Sequence, residues 1–176
     1  TQNALAQLGS EGGFAGDPNM RLSMPDEWRQ IETVVRKVNH AESADAFLDA
    51  LNASAENAVT ALAPIVAGRV KDLPIKDARQ TLTSATEAAT RILLEDSGKR
   101  LRTEVATALE SAFETADIRK RREALIEKAH FANPFTNIKG VEEFDLQGHA
   151  ADRIVERLFV VIAREEKAIR QDPSKL

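Results

Sequence analysis

Two long runs of helical spacing restrict the fold more than any other feature of this chain. Between residues 43 and 66 the apolar side chains Phe47, Leu48, Leu51, Ala55, Ala58, Val59 and Leu62 fall three or four positions apart. The same spacing returns at Ala150, Ile154, Leu158, Val161, Ile162 and Ile169. A period near 3.6 puts such residues on one face of a helix, whereas a half-buried strand would need strict alternation. Shorter stretches of the same kind lie at Trp28–Val38, Leu101–Phe113 and 118–130. Alternation appears only at Met20-Arg21-Leu22-Ser23-Met24, which is too short to build a sheet. Alanine supplies much of the 43% apolar content and favours helices, because it loses no side-chain entropy. These features predict an all-α fold: a single compact domain, 1–176, of about seven amphipathic helices, with a short extended segment near residues 20–24.

Glycine and proline mark the boundaries. Residues 1–8 read as the truncated end of a helix closed by Gly9, followed by a glycine-rich loop over 9–24 and a helical core over 25–173. Pro25 suits a first helical turn, and Ser43 and Asp145 suit caps. Pro64 predicts a bend or break, since its ring removes a backbone donor and clashes with the preceding turn. A short helix is expected from Pro74, a capping box at Ser84–Glu87, a break at Asp96-Ser97-Gly98 and a loop over 131–144.

Composition removes several functional classes. The formal charge is -4, so the counterion-releasing basic excess of a nucleic-acid binder is missing. The one basic run, Arg119-Lys120-Arg121-Arg122, lies among acids and reads as a solvated helix face. With no cysteine there is no disulfide, thiolate metal site or thiol nucleophile. No stretch approaches the roughly 20 apolar residues of a membrane span. The chain begins at Thr1, which fits a processed fragment. No phosphate-loop, nucleophile-elbow or zinc-helix motif occurs. His149 lies near Asp145 and Asp152; this spacing offers either a weak metal or acid–base site or an ordinary polar helix start.

Charge inside an apolar stripe is more informative. Glu165 stands four residues after Val161 and four before Ile169, which places it within the stripe of the last helix. A carboxylate there is expected to be largely buried and bonded to a basic side chain or backbone donor, with Arg36 and Arg91 as candidate partners. Asn52 and Glu56, four apart, flank the stripe of the long helix, either as a half-exposed edge or as an inward hydrogen-bonding pair. Asn52, Glu56, Glu165, Arg36 and Arg91 together form the candidate buried polar cluster.

Several segments, in order, resemble an uncharacterised bacterial family, domain of unknown function (DUF) 4197. They are Ala4–Gly9, Arg21–Pro25, Arg36-Lys37-Val38, Asn52–Glu56, Asp77-Ala78, Glu87–Thr90, Phe144-Asp145-Leu146 and, most specifically, Leu158-Phe159 followed by Ile162–Pro173. The chain departs from the pattern at Ser84-Ala85, where the family tends to have Gly-Gly, and at Ala53, where it tends to have Arg. The family has no established activity, so the resemblance implies no catalytic residue, no cofactor and no metal. Its members often carry an export signal, which implies the periplasm or cell envelope. The expected function is an α-helical binding or interaction module holding a small apolar ligand or a protein partner. The alternative is a carboxylate-based enzyme with a site near Glu165.

Overall fold

The computed structural model describes residues 2–38, 40–71, 88–136 and 139–172. Among these residues the fold is all-α, with no strand. Its helices are α1 (Gln2–Gly9), α2 (Arg29–Lys37), α3 (Ala41–Lys71), α4 (Ala88–Thr115), α5 (Ile118–Ala132), the single turn α6 (Lys139–Glu142) and α7 (Leu146–Gln171). A 3-10 turn, Asp26–Trp28, leads into α2.

The stripes explain the packing. α3 is central and touches α1, α2, α4 and α5, while α4 packs along both α3 and α7. Phe47, Leu51, Ala55, Val59 and Leu62 of α3 share one contiguous core with Leu101, Val105 and Leu109 of α4 and Ile154 and Leu158 of α7. Trp28 is wholly buried at one end, its ring centroid 5.3 Å from Phe47 and 6.0 Å from Phe144. Phe144 in turn lies 5.3 Å from the His149 ring in a tilted contact, so a line of rings joins the 3-10 turn to the start of α7.

Residues 10–25 fold back over α3 as a loop ending in an extended stretch. Phe14, Met20, Leu22 and Met24 are buried, whereas Arg21 and Ser23 are exposed, which is the expected alternation. The loop closes tightly on the end of α1. A Cβ at Gly13 would lie 2.4 Å from the Gln7 carbonyl oxygen, so only glycine fits there.

Several boundaries differ from the sequence reading. α3 continues through Pro64 to Lys71, so there is no break. Leu62 and Val66, on either side of the proline, are both buried in the core. Their packing holds the helix despite a proline cost of about 3 kcal/mol. α4 also runs unbroken through Asp96-Ser97-Gly98. Ser97 and Gly98 are buried, so these small residues serve close packing and not a stop. α3 begins at Ala41, two residues before Ser43, and residues 131–144 hold the last turn of α5 and the short α6 as well as loop. Asp145 does cap α7, its Oδ1 accepting the Gly148 N–H at 2.8 Å. The expected Pro74 helix and Ser84–Glu87 capping box lie outside the described residues.

Candidate functional site

Three polar side chains on one face of α3 hold the N-terminal segment down. Asn52, Glu56 and Thr60 are one helical turn apart in succession. Asn52 Oδ1 accepts the Leu22 N–H at 2.8 Å, and its Nδ2 donates to the Leu22 carbonyl at 3.0 Å and to the Leu48 carbonyl at 2.7 Å. Glu56 Oε1 accepts the consecutive N–H groups of Phe14 and Ala15 at 3.0 and 3.2 Å. Thr60 Oγ1 donates to the Gly9 carbonyl at 2.9 Å or to the Glu56 carbonyl at 3.0 Å. Asn52 and Glu56 are both buried, so this is the inward arrangement and not a half-exposed edge. Their bonds replace the water that the loop backbone would otherwise lose.

The segment pinned by Asn52 forms one wall of a pocket of about 400 Å³. Arg21 to Glu27 line that wall, with Leu51 of α3 beneath. The facing wall is α7, where His149, Arg153 and Arg157 recur at one-turn intervals beside the core stripe Ala150, Ile154 and Leu158. Arg21, His149, Arg153 and Arg157 therefore share the lining of the pocket with Asp26 and Glu27. Each guanidinium also has an acidic neighbour. Arg21 Nη2 meets Asp49 at 3.3 Å, Arg153 Nη1 meets Glu156 at 2.9 Å and Arg157 Nη1 lies 3.7 Å from Glu156. Asp26, on the rim, is engaged by Arg29. The Nε of Arg157 is buried with no hydrogen-bond partner.

The carboxylate at the other end of α7 is differently used. Glu166 accepts from the Ala89 N–H at 3.2 Å, the Thr90 N–H at 2.9 Å, the Thr90 hydroxyl at 2.7 Å and Arg170 Nη2 at 2.6 Å. Burial pushes its carboxyl pKa up, but the bonds from Thr90, Arg170 and Ala89 outweigh that and hold it below the ordinary glutamate range. Beside this clasp, α4 and α7 form an apolar groove of about 640 Å³ floored by Leu94, Val155, Phe159, Val160 and Ala163.

The five residues singled out from the sequence therefore have separate surroundings. Asn52 and Glu56 sit in the α3 clasp. Arg36 lies on the surface, clamped between Glu32 on its own helix and Asp45 of α3 at 2.9 and 2.8 Å, with its pKa raised chiefly by the bond to Asp45. Arg91 is exposed. Glu165 is partly buried, like its neighbour Glu166, and has an interaction partner. Glu166, one residue further round the helix, is the carboxylate that clasps the start of α4. The expected neighbours of His149 are also occupied elsewhere: Asp145 caps α7 and Asp152 binds Arg102. Among the described residues no three His, Cys, Asp or Glu side chains are placed to hold a metal ion. The pocket-lining pair Arg153 and Arg157 was missed in the sequence. Its signal is the four-residue spacing from His149, which places three cationic or ionisable groups on one edge of the α7 stripe.

The family model described as a protein of unknown function (DUF4197) matches residues 1–176, and the chain belongs to that family. No curated protein and no solved structure matches it. The family resemblance gains structural content here. The Asn52–Glu56 segment holds the backbone of the 9–25 segment, and Ala89 and Thr90 donate to Glu166, which also accepts from Arg170. No described helix is long and apolar enough to cross a membrane.

Proposed function

We propose that this domain is a binding module whose pocket between residues 21–27 and α7 takes a small anionic ligand bearing a carboxylate or phosphate. The observation that carries this reading is the gathering of Arg21, His149, Arg153 and Arg157 around one pocket, with the Nε of Arg157 unpartnered. A planar guanidinium with a free donor suits bidentate recognition of an oxyanion. The existing ion pairs are partly exposed, so each is worth only about 0–1 kcal/mol and can be exchanged for a ligand. The pocket volume lies within the usual range for small-molecule sites, about 300–1,000 Å³.

The α4–α7 groove favours a second reading, an apolar ligand lying along Leu94, Val155 and Phe159. A carboxylate-based enzyme has less support, because Glu56 and Glu166 are both committed to holding backbone. We propose the cell envelope as its location, which the family resemblance implies. Native mass spectrometry of the purified protein tests the ligand. An anion that co-purifies with the parent and is lost from the Arg153→Gln, Arg157→Gln double variant supports the first reading. A retained lipid-like mass, unaffected by those substitutions, would overturn it in favour of the groove.

A further inference from the structure

Arg122 interrupts the apolar stripe of α5. Ile118, Leu125 and Ala129 are buried, and Arg122 stands four residues after the first and three before the second. Its neighbours in the basic run, Arg119, Lys120 and Arg121, are exposed, whereas Arg122 is partly buried. Arg119 is paired with Glu123 at 3.0 Å and Lys120 with Asp117 at 2.9 Å. The Arg122 side chain has no hydrogen bond or ion pair among the described residues, and its Nε is buried. A buried donor without a partner costs stability. Residues that break a local rule at such a cost are concentrated at functional sites.

Arg122 lines a second pocket, of about 550 Å³, at the corner where Asp117, with φ 52°, joins α4 to α5. From α4 come Glu110, Phe113 and Glu114, which share one helix face. Phe144 and Leu146, beside the start of α7, add apolar lining. Asp145 and Gln147 line it too, but Asp145 caps α7 and Gln147 donates to the Ala106 carbonyl. The Glu110 and Glu114 side chains, like Arg122, have no hydrogen bond or ion pair among the described residues. Exposed glutamates alone would be ordinary solvated groups. Here they share an apolar-lined pocket with an unpaired cation on another helix, which they do not reach.

We propose that this pocket binds a zwitterion of amino-acid type. Its carboxylate is held by Arg122, its ammonium by Glu110 and Glu114, and its apolar body lies against Phe113, Phe144 and Leu146. A ligand with one charge would leave the opposite group of the pocket unmatched. The site shares no lining residue with the pocket between residues 21–27 and α7, so it stands independently of the anion reading above.

The test follows amide and arginine Nε–Hε resonances in isotope-labelled protein. The probes are L-phenylalanine and the dipeptide Gly-Phe, with phenylpropionate and phenethylamine as analogues that carry one charge each. At least one zwitterion should bind saturably, about tenfold or more tightly than either analogue, and shift the Arg122 Nε–Hε resonance. Arg122→Leu should abolish that binding and raise the melting temperature, because leucine completes the stripe. Undiminished binding in Arg122→Leu, or a lowered melting temperature, would give Arg122 a structural role and overturn the proposal. The double variant Glu110→Gln, Glu114→Gln changes two exposed residues and decides the matter should the leucine variant fail to fold. It should weaken the zwitterion to the affinity of phenylpropionate and leave phenylpropionate unchanged. Equal binding of zwitterion and phenylpropionate by the parent would overturn the proposal, as would no saturable binding of either zwitterion. Binding lost from the Arg153→Gln, Arg157→Gln variant but kept by Arg122→Leu would place the ligand along α7 and contradict this site.

Discussion

Asn52 and Leu22 are joined through both the backbone N–H and the backbone carbonyl of Leu22, at 2.8 and 3.0 Å, so a helix side chain does the work of a neighbouring strand. This bond pair couples the core helix α3 to the wall of the candidate pocket. Replacing Asn52 by Ala strands two buried backbone groups. The expected cost is about 2–3 kcal/mol, given about 1–3 kcal/mol for each unsatisfied group and some rescue by water. Urea unfolding measures it. Asn52→Asp keeps the acceptor but loses the donor, and should fall between parent and alanine variant. A stability change under about 0.5 kcal/mol for Asn52→Ala, the size of an ordinary surface substitution, would show that the segment is not held by this residue.

Glu56 makes a graded test of the same clasp. Its Oε1 accepts the N–H groups of both Phe14 and Ala15. Glu56→Gln retains an oxygen acceptor and loses the charge, so a loss of about 1 kcal/mol is expected. Glu56→Ala removes the acceptor altogether and should cost about 3 kcal/mol. Equal losses from the two variants would mean that side-chain volume, not hydrogen bonding, matters at this position. Hydrogen exchange at Phe14 and Ala15 should rise in the alanine variant before the core amides are affected.

Glu166 gives a pH dependence with a defined sign. Despite burial, its bonds from Thr90, Arg170 and Ala89 hold its carboxyl below the ordinary value of 4.5. A carboxyl with a depressed folded-state pKa stabilises fully above its unfolded value and loses that contribution as pH falls through the folded one. The stability difference between the parent and Glu166→Gln should therefore be largest above about pH 5. It should shrink as the solution is acidified below 4.5. At neutral pH the substitution should cost about 1–3 kcal/mol. Thermal melts of the two proteins across pH 3–7 check this, and a difference that grows on acidification would contradict it.

The sequence showed the helices and the polar residues facing the core more readily than it showed their partners. Period alone located the stripes of α3 and α7, and the alternation at residues 20–24 marked the segment that Asn52 holds. What Asn52 and Glu56 grip was not legible, because Leu22 and Phe14 contribute backbone and no side-chain type announces that. The same reason applies to Glu166, whose partners include two backbone N–H groups from a distant helix. Asp96-Ser97-Gly98 misled in the opposite direction. Local propensity favours a break there, but burial of Ser97 and Gly98 carries the helix through.

The arginine pair of α7 should act together. Arg153→Gln removes a half-exposed guanidinium paired with Glu156, so stability should change by less than about 0.5 kcal/mol. Arg157→Gln removes the more enclosed group with the unpartnered Nε and should weaken anion binding more than Arg153→Gln does. Titration calorimetry with inorganic phosphate ranks the two. Equal affinity in parent and both variants would separate these arginines from any binding role.

The most direct measurement is the Nε–Hε resonance of Arg157 during an acetate titration at constant ionic strength. Binding in the pocket predicts a saturable shift of that resonance, accompanied by His149, while the surface guanidinium of Arg119 shows only a small linear drift. A shift at Arg157 that is linear, unsaturated and no larger than that of Arg119 would contradict an anion site between residues 21–27 and α7.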